Sequence, residues 1–298
     1  MRRVTIHKGT KVRVTYSPNP KERERLAVLL PIIAKAERDA AWKAGTQAVS
    51  HGFIKNRNPV TCAMPHRGFK ITVSCDLAGW FDSVRAEQIP LSPEIVAQIT
   101  YEGAPRQGLS TSPSACNLAA IPMDRKILDM LTAVFPDKRF AFTRYADDLT
   151  VSFDDTNCEP IVLGILRDAA TAMGWQLAEH KTRIQRAKAG RRIIVGIAVD
   201  DRINATRKAR RKLRAAKHGH HRKGINIHNS QSAAGLSEWV SCKLPRAARG
   251  KRQIVGAMAG GGSSSPVIPD NSPTTASVST TGGRRVLIAK PAERSANE

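Results

Sequence analysis

The sequence has few cysteines and no long apolar run, and each shortage argues against a class of protein. Its five cysteines are scattered, without a CxxC pair or a histidine partner at zinc-finger spacing. Neither a disulfide framework nor a structural zinc site is expected, and a reducing compartment, the cytoplasm, fits best. No apolar run approaches the roughly 20 residues of a membrane-spanning helix, so no membrane partner is expected. The basic N-terminus lacks the apolar segment of a signal peptide.

Acidic residues are also scarce relative to basic ones. The chain of 298 residues has 48 Lys and Arg against 25 Asp and Glu, a formal net charge of +23. Such an excess attracts polyanions, and the release of counterions makes this binding strong and dependent on salt. Nucleic acid is the first interpretation and is preferred over the second, an anionic membrane surface, since no membrane partner is expected. Charge alone does not distinguish an enzyme from a ribosomal or histone-like binding protein.

Three segments have the alternation of apolar and polar residues that is typical of strands. Residues 71–76 predict a half-buried strand that ends in the carboxylate of Asp76. Residues 140–153 alternate on both sides of Ala146-Asp147-Asp148, which predicts a hairpin with the acidic pair at its tip. Residues 193–199 predict one further strand. Residues 1–20 also alternate, up to a pair of prolines.

Helical periodicity separates these strands and predicts an α+β fold, with helices on one face of an antiparallel sheet. Residues 21–45, 114–134 and 160–178 have this periodicity, and Pro31 is expected to kink or break the first helix. A basic helix is predicted within residues 202–223. Near the C-terminus the composition changes to Gly, Ser, Thr and Pro, so residues 251–298 are expected to form a disordered tail.

Two acidic centres are thus predicted at strand ends, Asp76 on one strand and Asp147 with Asp148 on a hairpin. Mg²⁺ binds through a few carboxylates together with substrate phosphates. Two such ions, about 4 Å apart, clamp the attacking and leaving oxygens of an in-line displacement. An isolated Asp-Asp pair is more often an ordinary acidic turn, so the surrounding sequence decides between these interpretations.

The surrounding sequence resembles the reverse transcriptases. Motif C of that family is similar to FTRYADDLTVSF at residues 142–153, and motif A is similar to VSCDLAGWFDSV at residues 73–84. Between them, RQGLSTSPSACNLA at residues 106–119 resembles motif B. Downstream, GWQLAEHKTR at residues 174–183 resembles motif D. The four segments follow the family's order, and a wider match over about residues 10–245 is most similar to bacterial retron-type enzymes.

The resemblance implies a right-hand polymerase with fingers, an antiparallel-sheet palm and a small helical thumb. Fingers are expected over residues 1–70, the palm over 71–205 with 85–106 partly in the fingers, and a basic thumb over 206–250. The implied activity is RNA-directed DNA synthesis from dNTPs, with two Mg²⁺ ions or Mn²⁺ in their place. The implied partners are an RNA template, the DNA product and an accessory or effector protein. A bacterial or phage-encoded cytoplasmic enzyme with a retron-like non-coding RNA and a role in antiviral defence is expected.

Individual roles follow from the same motifs. Asp76, Asp147 and Asp148 would be catalytic, and together with Leu77 they would hold the metal ions. Nucleotide binding is assigned to a fingers Lys-x-Arg, an aromatic steric gate, the Gln-Gly pair of motif B and the lysine of motif D: Lys11, Arg13, Phe81, Gln107, Gly108 and Lys181. Nucleic-acid binding is assigned to basic residues of the predicted thumb helix: Arg207, Lys208, Arg210, Arg211, Lys212 and Arg214. Lys181 would protonate the leaving pyrophosphate, and Phe81 would exclude a 2′-hydroxyl.

Two positions depart from the retron pattern. Cys62 replaces the Asn of an Asn-Ala-x-x-His stretch, and Val195 replaces the Thr of a Val-Thr-Gly stretch. They leave open the primer, the template RNA and a true retron identity. An inactive polymerase fold that binds RNA and an RNA-templated RNA polymerase are the alternative functions. The oligomeric state is also open.

Overall fold

The computed structural model describes residues 1–9, 11–222 and 227–242, so the tail expected at residues 251–298 lies outside the described residues. The N-terminal elements are β1 (Arg2–Lys8), β2 (Lys11–Ser17), α1 (Pro20–Lys43), α2 (Pro59–Ala63), β3 (Ile71–Asp76), α3 (Trp80–Ser83) and α4 (Pro93–Ile99). They are followed by α5 (Ser112–Ala119), α6 (Ile121–Val134), β4 (Ala141–Tyr145), β5 (Asp148–Phe153), α7 (Glu159–Ala172) and β6 (Arg183–Arg186). The last described elements are β7 (Arg192–Ile194), β8 (Ile197–Val199), β9 (Ile203–Ala205), α8 (Arg207–Arg222) and α9 (Ile227–Ser241).

The sheet that carries the acidic segments has the strand order β4-β5-β3-β6, and its neighbouring strands are antiparallel. The predicted hairpin at residues 140–153 is present as β4 and β5. The adjoining strand β3 pairs with β5 in a register that places Asp76 opposite Asp148. Two acidic segments 70 residues apart in the sequence therefore meet at one end of the sheet.

The prediction of a half-buried β3 is wrong, because both faces of this strand are covered. One face packs into the main apolar core with α7. The other face carries Thr72, whose hydroxyl pairs with Ser152 Oγ at 2.7 Å and accepts a hydrogen bond from the buried Arg192 guanidinium at 3.2 Å. His66 lies between Ser152 Oγ at 2.8 Å and Thr143 Oγ1 at 2.7 Å. Burial lowers the pKa of His66 to about 3, so it is a neutral structural residue.

Helix α1 runs without interruption past Pro31, which corrects the expected break. The helix begins with a capping box between Asn19 and Glu22. Leu26, Leu29 and Ile33 recur on one face and are buried, mainly against α5. Pro31 lies on the exposed side. Burial of the apolar face stabilises the helix enough to offset the one backbone hydrogen bond that proline removes.

The segment predicted as one strand over residues 193–199 is instead a hairpin, β7 and β8, to which β9 adds a third strand. Its two-residue turn is formed by Val195 at φ 47° and Gly196 at φ 78°, the paired positive angles of a tight hairpin turn. The ring of Trp239 on α9 lies against Gly196 and so joins α9 to this hairpin. None of the described helices is long and apolar enough to cross a membrane.

Candidate active site

Three carboxyl groups meet where β3 and the β4–β5 hairpin end. Asp76 is the last residue of β3, Asp148 is the first of β5, and Asp147 lies in the turn before it. The backbone N–H of Leu77 donates to the Asp147 carbonyl oxygen at 3.0 Å, which joins the strand end to the turn. The sequence-predicted catalytic residues are therefore brought together, mainly by strand pairing.

Burial and the crowding of like charges raise the pKa values of Asp147 and Asp148. Burial, followed by the charges of Asp147 and Asp76, raises the pKa of Asp148 to about 6. Burial and the neighbouring Asp76 also raise the pKa of Asp147. Lys181 forms an ion pair with Asp76, and this hydrogen bond raises the pKa of the lysine. The three carboxyl groups outnumber the Lys181 ammonium group that pairs with them, so the site favours further positive charge.

The donor set fits Mg²⁺ or Mn²⁺, although no group of three His, Cys, Asp or Glu side chains in the described ranges forms a ready-made metal cage. Hard oxygen ligands suit these cations, and Mg²⁺ completes its coordination with waters and substrate phosphates rather than with protein alone. Leu77 has an apolar side chain, so only its backbone carbonyl is a candidate ligand. A cleft of about 220 Å³ opens beside Asp76 and Asp148, with Lys181 and Gly196 also on its walls.

A buried arginine, which the sequence motifs did not predict as a site residue, supports the acidic turn on the side of α5 and α6. Arg144 is fully buried, and its guanidinium donates to Asp124 of α6 at 2.9 and 2.8 Å. The same group donates to Asn117 Oδ1 of α5 at 2.7 Å and to the Ala146 carbonyl at 3.2 Å. Two helices thus hold the residue that precedes Asp147. An Arg in a strand pattern is usually exposed, so the sequence carried no signal for this role.

The loop that contains Gly52 completes this support. Asn117 Nδ2 donates to the Gly52 carbonyl at 2.9 Å, and His51 N–H donates to the Arg144 carbonyl at 2.8 Å. A Cβ atom on Gly52 would lie 2.5 Å from the Ala146 nitrogen. Only glycine allows the two backbones to approach this closely. The conformation of the acidic turn therefore depends on a loop almost a hundred residues earlier in the chain.

Replacement of Asn117 by Ala is expected to lower the free energy of unfolding by about 2 kcal/mol, because it leaves a buried carbonyl and a buried guanidinium N–H without partners. Urea denaturation of the full chain measures the change. Asn157→Ala, at an exposed position, is the matched control and should shift the free energy by less than about 0.5 kcal/mol. Equal losses in the two variants would contradict the supporting role of Asn117.

The predicted nucleotide-binding pair Gln107 and Gly108 lies against β2. The Gln107 carbonyl accepts hydrogen bonds from Tyr16 N–H at 2.8 Å and from Thr15 Oγ1 at 2.9 Å. Gly108 has φ 113°, and a Cβ atom there would clash with the Tyr16 carbonyl oxygen. This contact requires glycine for both conformation and space. It fixes the motif B loop against the β1–β2 hairpin, which carries Arg13.

Gly108→Ala is expected to destabilise the chain by about 3 kcal/mol, since strain at positive φ and a backbone clash add. Gly103→Ala is the matched control, because Gly103 also has positive φ, 74°, but has open space around a Cβ atom. Its cost should be limited to about 1 kcal/mol of backbone strain. Thermal unfolding of both variants separates the two contributions, and equal costs would show that the contact with β2 is unimportant.

The other predicted nucleotide-binding residues lie on separate elements. Phe81 is on α3, five residues after Asp76 in the sequence. It is half-buried, and its ring centroid lies 6.4 Å from that of Phe53. Arg13 is exposed on β2, and the side chain of Lys11 on the same strand lies outside what the structure describes. Lys181 is the member of this group that contacts a predicted metal ligand.

Curated relatives of this chain include retron enzymes. It is 28% identical over 198 residues to Retron Mx65 reverse transcriptase of Myxococcus xanthus, covering 57% of this chain and 45% of the relative. It is 24% identical over 229 residues to Retron Ec86 reverse transcriptase of Escherichia coli, covering 73% and 69%. The resemblance to retron-type reverse transcriptases is confirmed. The chain spans less than half the length of two Myxococcus relatives, 45% and 43%. No protein-family model matches the retron-like chain.

Among solved structures, the chain is similar to telomerase from Candida albicans, whose structure is a complex with a TWJ fragment of telomeric RNA. The TM-score is 0.51 at 15% identity, over 69% of this chain and 45% of that one. At this identity the likeness concerns the fold alone. The predicted α+β polymerase fold is confirmed, whereas its division into fingers, palm and thumb stays a prediction.

The six basic residues assigned to nucleic-acid binding lie on α8 of this retron-like chain, and each of them is exposed. Ala209 is buried and Leu213 partly buried, four residues apart, so one narrow stripe of the helix faces the protein. The rest of the described surface of α8 is mainly basic. Arg210 also donates to Asn204 Oδ1 at 3.0 Å, which orients one of the six side chains.

Proposed function

We propose that this chain is an RNA-directed DNA polymerase that adds dNTPs to a primer on an RNA template. The observation that carries the proposal is the meeting of Asp76, Asp147 and Asp148 beside Lys181 on a polymerase fold. The names of the curated relatives, retron reverse transcriptases, support it independently.

In this proposal Asp76 and Asp147 hold two Mg²⁺ ions, or Mn²⁺ in their place, with Asp148 and the Leu77 carbonyl in support. Bound metal ions of this kind neutralise charge on the attacking and leaving oxygens. The chain supplies a rigid frame for them, because the strand pairing fixes Asp76 against Asp148 and the Arg144 cluster fixes the turn. Preorganised charge of this kind costs no rearrangement during the reaction.

Lys181 is proposed as the general acid for the leaving pyrophosphate. Its ammonium group lies beside Asp76 and remains protonated because that contact raises its pKa. A lysine in this state can transfer a proton to an oxygen of the departing pyrophosphate, which leaves the lysine neutral until it regains a proton from water. A cation held by Asp76 would compete with this ion pair, which would leave the ammonium group available for this role.

The incoming nucleotide is proposed to lie between α3 and the Gln107-Gly108 loop. Phe81 would meet the sugar at C2′. Lys11 and Arg13, of which Arg13 is exposed, would bind the triphosphate, where Arg offers two parallel donors to phosphate oxygens. The hydrogen bonds from β2 to Gln107 support this assignment, since they couple the strand that carries Arg13 to the motif B loop.

The duplex is proposed to lie along α8, whose six basic residues would contact phosphates without recognising bases. In the implied division, residues 1–70 form the fingers, 71–205 the palm and 206–250 the thumb. A retron-like non-coding RNA as the template, an effector partner and a role in antiviral defence in the bacterial cytoplasm complete the proposal. The names of the curated relatives support the retron-like character in this part of the proposal.

Primer extension on an RNA template, with dNTPs and Mg²⁺, tests the activity. A DNA product that requires the metal is expected. Product from rNTPs instead would favour the RNA polymerase alternative, and RNA binding without any product would favour the inactive scaffold. Sequencing of nucleic acid that copurifies with the full chain identifies the template.

A further inference from the structure

A cavity of about 470 Å³ lies behind the acidic turn, on the side of α1. Its walls come from α1, from the loop at residues 46–57 and from α5 and α6, and most of its lining is apolar. This volume falls within the range of small-molecule sites, about 300–1,000 Å³. The reaction proposed above uses none of its side chains directly.

One wall of the cavity carries a carboxyl group that lacks a full set of partners. Glu37 of α1 is 6% exposed, and its Oε1 atom has no hydrogen-bond partner among the described residues. Burial raises the pKa of Glu37 to about 7, against the opposing charge of Arg144. Buried polar atoms are almost always hydrogen-bonded in folded proteins. Glu37 lines the cavity, so a ligand that enters there lies beside a carboxyl group with an unfilled hydrogen-bonding position.

Two aromatic rings stand at the cavity, and both are unusually exposed. Trp42 is 59% exposed near the end of α1, and Phe53 is 57% exposed in the loop at residues 46–57. Phe53 has φ 61°, a conformation that bulky residues rarely adopt. Arg57 holds this loop through its bonds to the Ser50 and Gln47 carbonyls. The chain therefore maintains a strained backbone that keeps an aromatic ring in solvent.

The charges around the cavity are those of a phosphate-binding surface. Arg38 and Lys55 line it, both are exposed, and neither forms an ion pair within the described part of the chain. An aromatic platform combined with unpaired basic side chains is the combination that binds single-stranded nucleic acid, because every base offers a π-face and every nucleotide a phosphate. A peptide or an acyl chain would use the apolar walls but not this pairing of rings and cations.

We propose that this cavity binds one unstacked nucleobase of a single strand, with Trp42 and Phe53 stacking on the base and Glu37 hydrogen-bonding to its edge. The location suits a strand that leads to the active site. Phe53 contacts Phe81 edge to face, and the neighbouring Gly52 packs on Ala146 of the acidic turn. The identification of that strand as the unpaired template rests on the proposed polymerase function.

Binding of a DNA primer annealed to a fluorescein-labelled RNA template tests the proposal. The full chain is titrated without dNTPs or metal, and each of about six unpaired template nucleotides is made abasic in turn. One abasic position is expected to weaken binding about tenfold, the loss that corresponds to one stacked base. Trp42→Ala and Phe53→Ala should each reduce that penalty. Ile161→Ala, at an exposed position on α7, is the control and should preserve it.

The same penalty at every position, or a penalty that both aromatic variants leave unchanged, would overturn the proposal. Glu37→Gln should keep the abasic penalty but change the base preferred at that position, because an amide nitrogen donates where a carboxylate accepts. An unchanged preference would reject the role of Glu37. Added nucleoside monophosphates distinguish a strand from a free nucleotide, since only a free-nucleotide site would lose the abasic penalty when they saturate it.

The binding titration tests the nucleobase site without catalysis, because neither dNTPs nor metal ions are present. Primer extension on the same duplexes, after addition of dNTPs and Mg²⁺, reports on the polymerase function alone. Position-specific binding without extension would reject the polymerase proposal and retain the nucleobase site. Extension together with the same abasic penalty at every position would support the polymerase proposal and reject the nucleobase site.

Discussion

Asp147→Asn is expected to lower Mg²⁺-dependent dNTP incorporation by about 10³-fold or more while RNA affinity stays within about twofold. Loss of one carboxylate would weaken the hold on the metal ions that neutralise developing negative charge, at a cost of several kcal/mol, and each 1.4 kcal/mol corresponds to tenfold. RNA affinity is expected to depend on the basic surface of α8, a different element. Single-nucleotide primer extension and a filter-binding titration on one preparation measure the two quantities.

Asp137→Asn provides the matched control, because it makes the same chemical change at an exposed position on the turn before β4. Incorporation by this variant should equal that of the parent. Near-parental synthesis by Asp147→Asn would reject the assignment of Asp147 as a metal ligand. If Asp147→Asn loses RNA affinity as well as incorporation, and Asp137→Asn loses neither, the acidic turn also organises the RNA-binding surface.

Phe81→Ala is expected to admit rNTPs about 10²-fold more readily relative to dNTPs. If the ring lies against C2′ of the incoming sugar, a ribose hydroxyl collides with it, and the discrimination is a repulsion that truncation removes. Relief of a clash of about 3 kcal/mol corresponds to this factor. Incorporation efficiencies for a matched dNTP and rNTP on one RNA template give the ratio directly.

Phe81→Tyr is the appropriate control, because it retains the ring and should retain the discrimination. Incorporation of dNTPs should fall less than sugar selectivity in Phe81→Ala, since the acidic residues and the Gln107 loop are unaltered. An unchanged ratio would show that Phe81 is a packing residue between the core and Phe53. The preference for a DNA product would then rest on family resemblance alone.

Sequence patterns predicted the elements that carry the acidic residues, because those elements are local. Alternation marked β3 and the β4–β5 hairpin, and the strand pairing then brought Asp76 to Asp148. The error at residues 193–199 arose because apolar residues continue through the turn. Val195 adopts positive φ there despite its branched side chain, which local propensity disfavours. The break expected at Pro31 is absent, because burial of the apolar face of α1 outweighs the loss of one backbone hydrogen bond at the proline.

The supporting residues of the site could not be predicted in the same way. Arg144 is buried only because Asp124 and Asn117 reach it from two helices, 20 and 27 residues earlier in the chain. Glu37 lies within an ordinary charged helix sequence and is buried by that helix's packing. Neither position has a local pattern that separates it from exposed residues of its type. Their environment exists only in the assembled fold.

The pairing of Asp76 with Asp148 has a consequence for how this chain tolerates change in length. Successive residues of a strand point to opposite faces, so the gain or loss of a single residue inside β3 or β5 would turn every later side chain of that strand over. Such an event would separate the carboxylates without altering any of them. The turn at residues 136–138, before β4, bears no such restriction, because it is exposed and its length does not enter the register. Lineages of this fold should therefore accumulate insertions there while the two paired strands keep a constant length.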